Sequence, residues 1–198
     1  MAEYHKYVFD QAQRRLVGDF EGMYAAEDRE RFDSWRSHDA RHLRLRLALA
    51  LVAEYNFDSV LEIGCGKGTA AQFFKRRNNR VVGIDISPTA IAKARASFPD
   101  IDFRCMDASD IGSLGARFDL VTLQAVLAYV PSWRELLETV AGMADRCLVA
   151  EYVPANPIGM VKSVGELVEV FAGLFEIEHK LLLDDEMAIL FGRTRRPG

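Results

Sequence analysis

From residue 57 onward, short apolar runs rich in β-branched residues alternate with longer stretches that repeat at helical spacing. A strand buried on both faces reads as a continuous apolar run, whereas a crossover helix shows a single apolar stripe, so this alternation predicts a parallel sheet with helices on both faces. Strands are expected at 59–63, 80–84, 102–106, 118–123 and 146–152, and helices at 67–77, 88–98 and 133–144. Pro88 falls at a first-turn position, and Pro131 with Ser132 introduces the helix that starts at Trp133. The stretch after Asp107 is short and ambiguous. Beyond residue 160 a helix at 161–173 is followed by two runs, 175–183 and 186–193, close enough to form a hairpin that ends the sheet antiparallel.

The first 55 residues are polar and helical in character, with Phe20, Tyr24, Phe32 and Trp35 as scattered apolar anchors. They read as a cap over the core. Leu43, Leu45, Leu47, Leu49 and Leu51 alternate as a strand would, yet Ala, Leu and Arg favour a helix and β-branched residues are few, so a helix is expected. Residues 193–198 read as a solvated tail. At 198 residues the chain suits one domain, with a cap at 1–55 and an α/β core at 56–198.

Composition narrows the classes. Apolar residues make up 49% and charged residues 27%, ordinary values for a soluble fold that disfavour disorder or a membrane protein. A net charge of −4 is the wrong balance for neutralising phosphates, so no nucleic-acid partner is expected. The start MAEYHKYVFD shows no apolar signal segment, and no run approaches a membrane span, which leaves the cytoplasm as the expected compartment. Cys65, Cys105 and Cys147 are odd in number and widely spaced, consistent with reduced thiols and without zinc spacing.

The candidate chemistry begins where the first strand runs into Leu61-Glu62-Ile63-Gly64-Cys65-Gly66-Lys67-Gly68-Thr69. Glycines between a strand and a helix permit tight turning and close ligand approach at the carboxyl edge of the sheet. The spacing G-x-G-x-G is neither the dinucleotide G-x-G-x-x-G nor a phosphate loop closed by G-K-[ST]. The next strand ends at Asp85, seventeen positions past Gly68, where a carboxylate can accept from two ribose hydroxyls. Capping of the following helix is the alternative, although Ser87 already offers that cap. Asp107, after the third strand, suits an exocyclic adenine amine or a simple helix cap.

Leu61 to Thr69, Asp85, Asp107 and Phe118-Asp119-Leu120-Val121 together resemble the successive motifs of the class I S-adenosylmethionine-dependent methyltransferases. Tyr24 and Trp35 ahead of a helix, with Leu127-Ala128-Tyr129-Val130 after the fourth strand, are similar to the small-molecule methyltransferases of the NodS-like type. The resemblance implies a Rossmann-like, doubly wound, seven-stranded sheet with its last strand antiparallel, and S-adenosyl-L-methionine as cofactor, released as S-adenosyl-L-homocysteine. It places Glu62, Gly64, Gly66 and Gly68 at the methionine moiety, Asp85 at the ribose, Asp107 and Ala108 at the adenine, and Gln124 near the sulfonium, with Cys65 and Ile86 also at the cofactor. Trp35 and Arg41 are further cofactor candidates, Arg41 for the carboxylate. Lys67, inside the loop, is expected to point into solvent.

Methyl transfer requires a nucleophile held in line with the S–CH₃ bond, and an ammonium or hydroxyl nucleophile also needs a base within hydrogen-bond reach. His38, Tyr129 and Tyr24 are the candidate bases, with His38 best matched in pKa. Tyr24, Tyr129 and Tyr152 are candidate acceptor-binding residues, and Tyr152, Trp35 and Trp133 candidate pocket walls. His38 and His42 stand four apart on one helical face, but Asp39 replaces the Glu of a zinc-protease helix and no third ligand suggests itself, so no metal is expected. The chain also lacks the [DNS]-P-P-[YF] run of enzymes that methylate base amines, having Leu123-Gln124-Ala125-Val126 instead. A small-molecule acceptor with an amine or hydroxyl, such as a sugar, is expected. The rivals are a non-catalytic S-adenosylmethionine-binding module and a nicotinamide-dependent oxidoreductase. Monomer and homodimer remain equally open.

Overall fold

The computed structural model describes residues 5–36 and 42–195. A short helix α1 (His5–Val8) leads into a two-stranded hairpin, β1 (Phe9–Asp10) and β2 (Arg15–Leu16), then α2 (Phe20–Glu30) and α3 (Leu43–Leu51). The core follows as β3 (Ser59–Ile63), α4 (Ala71–Phe74), β4 (Arg80–Asp85), α5 (Pro88–Ser97), β5 (Asp102–Cys105), β6 (Phe118–Gln124), α6 (Trp133–Met143), β7 (Ala144–Tyr152), α7 (Val164–Leu174), β8 (Phe175–Leu183) and β9 (Met187–Thr194). Seven strands make one sheet in the order β5-β4-β3-β6-β7-β9-β8. β3 to β7 run parallel, and β9 is antiparallel to both of its neighbours.

That strand order positions the site. The chain leaves β3 toward β4 and β5 on one side, then returns to place β6 on the other. The turns after β3 and β6 therefore diverge and open a crevice at the carboxyl ends, the usual ligand position in an open parallel sheet. Alternate side chains of the central strands feed two apolar layers. Leu61, Ile63, Val121 and Leu123 pack under α6 and α7, while Val60, Leu120, Leu148 and Ala150 pack under α3 and α5. A third cluster joins Met23 and Tyr24 of α2 to Phe9, Phe20, Trp35 and Tyr129, and seats the N-terminal segment on the crevice.

Several local expectations are corrected. The helix expected at 67–77 is reduced to α4, because Asn79 binds the Phe74 carbonyl through Nδ2 at 2.7 Å and the Arg76 amide through Oδ1 at 2.8 Å, competing with continued helix. The ambiguous stretch after Asp107 is a 3₁₀ segment, Ala108–Leu114, ended by Gly115 in a left-handed conformation. The N-terminal segment holds a hairpin as well as helices. Leucine alternation at 43–51 is helical, as residue propensity predicts. Among the described residues no helix is long and apolar enough to cross a membrane.

Candidate active site

The loop after β3 is drawn against three neighbours through its glycines. Gly64 and Gly66 have φ of +67° and +52°, a region that side chains with a Cβ rarely adopt. A Cβ on Gly64 would lie 2.5 Å from Val126, and one on Gly66 would lie 2.7 Å from the Tyr24 hydroxyl, so these positions bring the turn after β6 and helix α2 onto the loop. Gly68 faces Phe103 and Phe98 instead, with a built Cβ 2.6 Å from the Phe103 ring. Its place is under the loop rather than on the ligand side, which corrects its expected contact with the methionine moiety.

Asp85 ends β4 beside this loop. Its Oδ2 accepts from the Gly66 amide and its Oδ1 from the Ser87 amide, each at 2.9 Å. Ser87 caps α5 by accepting from the Ala90 amide, so Asp85 is not the helix cap. A carboxylate oxygen offers two lone pairs, and one amide on each leaves both oxygens able to accept again toward the cleft. Burial raises the Asp85 pKa against the pull of these two amides.

Glu62 and Gln124 lie at the ends of β3 and β6 and face the same cleft. Glu62 is 1% exposed, and burial followed by the nearby Asp85 charge drives its pKa well above the usual carboxylate value, with the Ala71 amide opposing. Glu62 Oε2 and Gln124 Oε1 are buried and have no hydrogen-bond partner among the described residues, while Gln124 Nε2 donates to Thr122. Two neighbouring buried acceptors without donors require an explanation, because an unsatisfied buried polar atom is costly.

On the other side of Asp85, Ile86 is 50% exposed and lines the cleft with Met106, Asp107 and Ala108. Asp107 also caps the 3₁₀ segment, its Oδ1 accepting from the amide and hydroxyl of Ser109 at 2.8 Å each. Asp107 therefore caps this segment while also lining the cleft. Cys65 lines the cleft with its thiol pKa raised by burial, then by Glu62 and Asp85, so it stays a neutral thiol.

The roof comes from the N-terminal segment and the turn after β6. Phe20, Tyr24, Trp35 and Tyr129 line the cleft, and Tyr129 packs at 5.5 Å from the Phe20 ring and 5.4 Å from that of Trp35. Trp35 holds φ at 61°, unusual for so large a side chain, and hydrogen-bonds Tyr24. Burial and the neighbouring Asp85, Cys65 and Glu27 raise the Tyr24 pKa well above that of a free phenol. His38 and Arg41 lie outside the described residues. Tyr152 lies outside the cleft, 45% exposed with its hydroxyl on Glu186, and Trp133 is buried in the core. Neither lines the cleft, so both are corrected as pocket walls and Tyr152 as an acceptor contact: the Tyr152 hydroxyl is taken by Glu186 and Trp133 packs in the core.

Lys67 departs most from expectation. It is 6% exposed, with Nζ 2.7 Å from Glu27 and 2.6 Å from Asp33. Glu27 also pairs with Lys93 at 2.8 Å and accepts from the amide and hydroxyl of Ser34. The loop lysine thus ties the cap to the glycine turn instead of reaching into water. His42 just before α3, with Arg44 and Leu45 of α3, also lines the cleft, a role sequence did not assign to them, and neither Arg44 nor buried Glu151 behind the turn was singled out from sequence. Glu151 alone carried a signal, a carboxylate inside the apolar run Leu148-Val149-Ala150-Glu151.

One consequence is testable at once. Gly66→Ala places a Cβ in the left-handed region and against Tyr24, and strain of this kind costs about 1–3 kcal/mol. A lower Tm by several degrees is expected in calorimetry. Adding Tyr24→Phe, which removes the opposing hydroxyl, should recover part of the loss, and full stability in the single variant would contradict the geometry.

The sheet order and the glycine loop at its crevice match the Rossmann-like fold of the class I S-adenosylmethionine-dependent methyltransferases. Residues 60–145 match the family model described as a methyltransferase domain. Among curated proteins the chain is similar to trans-aconitate 2-methyltransferase of Escherichia coli K12, 30% identical over 128 residues, covering 63% of this chain and 48% of that protein. The chain thus spans about half the length of the curated relatives it matches. Its fold is similar to that of N-methyltransferase NodS from Bradyrhizobium japonicum WM9 in complex with S-adenosyl-L-homocysteine, with a TM-score of 0.71 and 18% identity over 87% of this chain and 98% of that one. It is likewise similar to magnesium protoporphyrin IX methyltransferase from Synechocystis PCC 6803 with bound SAM, with a TM-score of 0.64 and 17% identity over 98% of each chain.

Proposed function

We propose that the chain is an enzyme that binds S-adenosylmethionine in the described cleft and transfers its methyl group to an amine or hydroxyl of a small-molecule acceptor. The observation that carries this reading is the pair of buried acceptors without donors, Glu62 Oε2 and Gln124 Oε1, in the cleft that also holds Asp85. An ammonium group supplies the donors that these atoms lack, and a ribose diol supplies those that Asp85 can still receive. Ile86, half exposed beside Met106 and Ala108, offers an apolar face for a purine ring. The residues present therefore fit the ammonium, ribose and purine of the cofactor.

When bound, the cofactor supplies a methyl carbon made electrophilic by its sulfonium. The chain's own work is orientation and exclusion of water. Glu62, Gln124 and Asp85 fix the donor, and Phe20, Trp35 and Tyr129 provide an apolar roof over the acceptor side. With the cofactor so held, the chain's own part in the chemistry would be to hold the acceptor in line with the methyl group and to take up the proton of an amine or hydroxyl acceptor. His38 and Tyr129 are the proposed bases. The names of the relatives include a carboxylate and a porphyrin as acceptors, so carboxylates join amines and hydroxyls as acceptor classes to test.

Calorimetry with S-adenosylhomocysteine should give a saturable site, and methyl transfer to a panel of amines, sugars and carboxylates, trans-aconitate included, should release S-adenosylhomocysteine above a control without enzyme. Binding without turnover across the panel would favour a non-catalytic module. Binding of NAD and not of S-adenosylhomocysteine would overturn the reading.

A further inference from the structure

The turn after β6 has a backbone that its own sequence does not favour. Ala125 holds φ at 59°, a left-handed conformation that is costly for a residue with a Cβ. Its amide donates to the Ala150 carbonyl of β7 at 2.8 Å. The next two amides, of Val126 at 3.1 Å and Leu127 at 2.9 Å, both donate to Oε2 of Glu151, which is 1% exposed behind the turn. The same turn delivers Gln124, Ala125, Val126 and Tyr129 to the cleft. A buried carboxylate is an expensive way to satisfy two amides when a water or a hydroxyl would serve, so its charge calls for a role beyond filling space.

We propose that Glu151 is a positioning residue for the acceptor side of the site: by gripping consecutive amides of the turn it sets the orientation of Gln124 and Tyr129. Its consequence for turnover rests on the proposed methyl transfer, but its geometry does not. The grip depends on charge, because hydrogen bonds to an ionised acceptor are stronger than those to a neutral one. Burial raises the Glu151 pKa to about 7, opposed by the Arg44 charge and by the amides of Leu127, Tyr152 and Val126. Arg44 faces it from α3, and His42 precedes that helix. At the β7 edge Tyr152 and Glu186 are engaged with each other, and Tyr129 lies on the turn itself. The turn should therefore tighten as pH rises through about 7 and loosen below it.

The chain has two tryptophans, Trp35 and Trp133, and the Trp35 ring lies 5.4 Å from Tyr129, so Trp35 reports on the turn. In full-length protein labelled with 5-fluorotryptophan, with the two ¹⁹F resonances assigned by Trp35→Phe, the Trp35 signal is expected to titrate with a midpoint near 7 in the wild type. It should be flat in Glu151→Gln. Arg44→Gln, which leaves the carboxyl in place, should move the midpoint upward by removing the charge that lowers it, and serves as the test should Glu151→Gln fail to fold. For any acceptor the panel yields, kcat should rise through the same pH window in the wild type and lose that rise in Glu151→Gln. A Trp35 titration that survives Glu151→Gln, or one unmoved by Arg44→Gln, overturns the proposal. A titration that behaves as expected in a protein that transfers no methyl group upholds the positioning role and sinks the methyltransferase reading alone.

Discussion

Replacing Asp85 with Ala is expected to weaken binding of S-adenosylhomocysteine by at least about a hundredfold. Hydrogen bonds to a charged acceptor contribute roughly 1.5–3 kcal/mol each, and two ribose hydroxyls would lose theirs together. About 3 kcal/mol corresponds to two orders of magnitude in Kd. The change also frees the Gly66 amide, which Asp85 Oδ2 holds at 2.9 Å, so the loop itself loses a restraint. Asp85→Asn should be nearly as damaging, because its NH₂ must face either the Gly66 amide or the Ser87 amide, and both are donors. The wild-type site has a pH signature of its own. Burial raises the Asp85 pKa, and a protonated carboxyl offers fewer acceptor positions, so affinity should fall as pH drops through that raised value. Titration calorimetry of both variants decides the matter, and a Kd within threefold of wild type for Asp85→Ala would remove the residue from the nucleoside site.

Lys67→Met should be the most destabilising change in the N-terminal half of the molecule. Breaking a buried ion pair by removing one partner costs about 3–5 kcal/mol, since the other charge stays buried. Glu27 retains Lys93 and Ser34, which places the expected loss near the lower end, about 3 kcal/mol. For a chain of this size that corresponds to a fall in Tm of roughly 6–12 °C. The pair is buried, so added salt should change the loss little. Combining Lys67→Met with Glu27→Met removes both charges and should recover part of the stability, which a double-mutant cycle resolves. A single variant with unaltered Tm would show that the cap docks without this lysine. A deficit restored fully by salt would place the pair in water.

The two predictions differ in how visible their residues were. Asp85 was legible as a cleft residue because it obeys a local rule: an acidic residue at the end of the second strand, a fixed distance past a glycine turn, stands at the carboxyl-edge crevice. Glu62, Gly64, Gly66 and Gln124 were found the same way, each standing at the carboxyl end of a strand that its own apolar run marks out. Lys67 lay inside that pattern and was misplaced. Nothing near it in sequence says that Glu27, forty residues earlier, and Asp33 converge on its ammonium. Gly68 fits the glycine spacing yet serves Phe103, a partner on β5 that spacing alone does not reveal. Tyr152 erred for a related reason. β7 was correctly placed, but Tyr152 bonds to Glu186 at the start of β9 and so belongs to the antiparallel edge rather than the cleft.

The amino-acid sequence by itself determined the sheet, its helical crossovers, the antiparallel ending and the glycine turn with its acidic partners. Those features follow from periodicity, propensity and short spacings, which act over a few residues at a time. Only the tertiary structure decided which charges became buried and what they hold: Lys67 with Glu27 and Asp33, Glu62 beside Gln124, and Glu151 beneath the turn after β6. The reason is that desolvation and pairing depend on which segments meet, and in each of these cases the partners come from elements tens of residues apart.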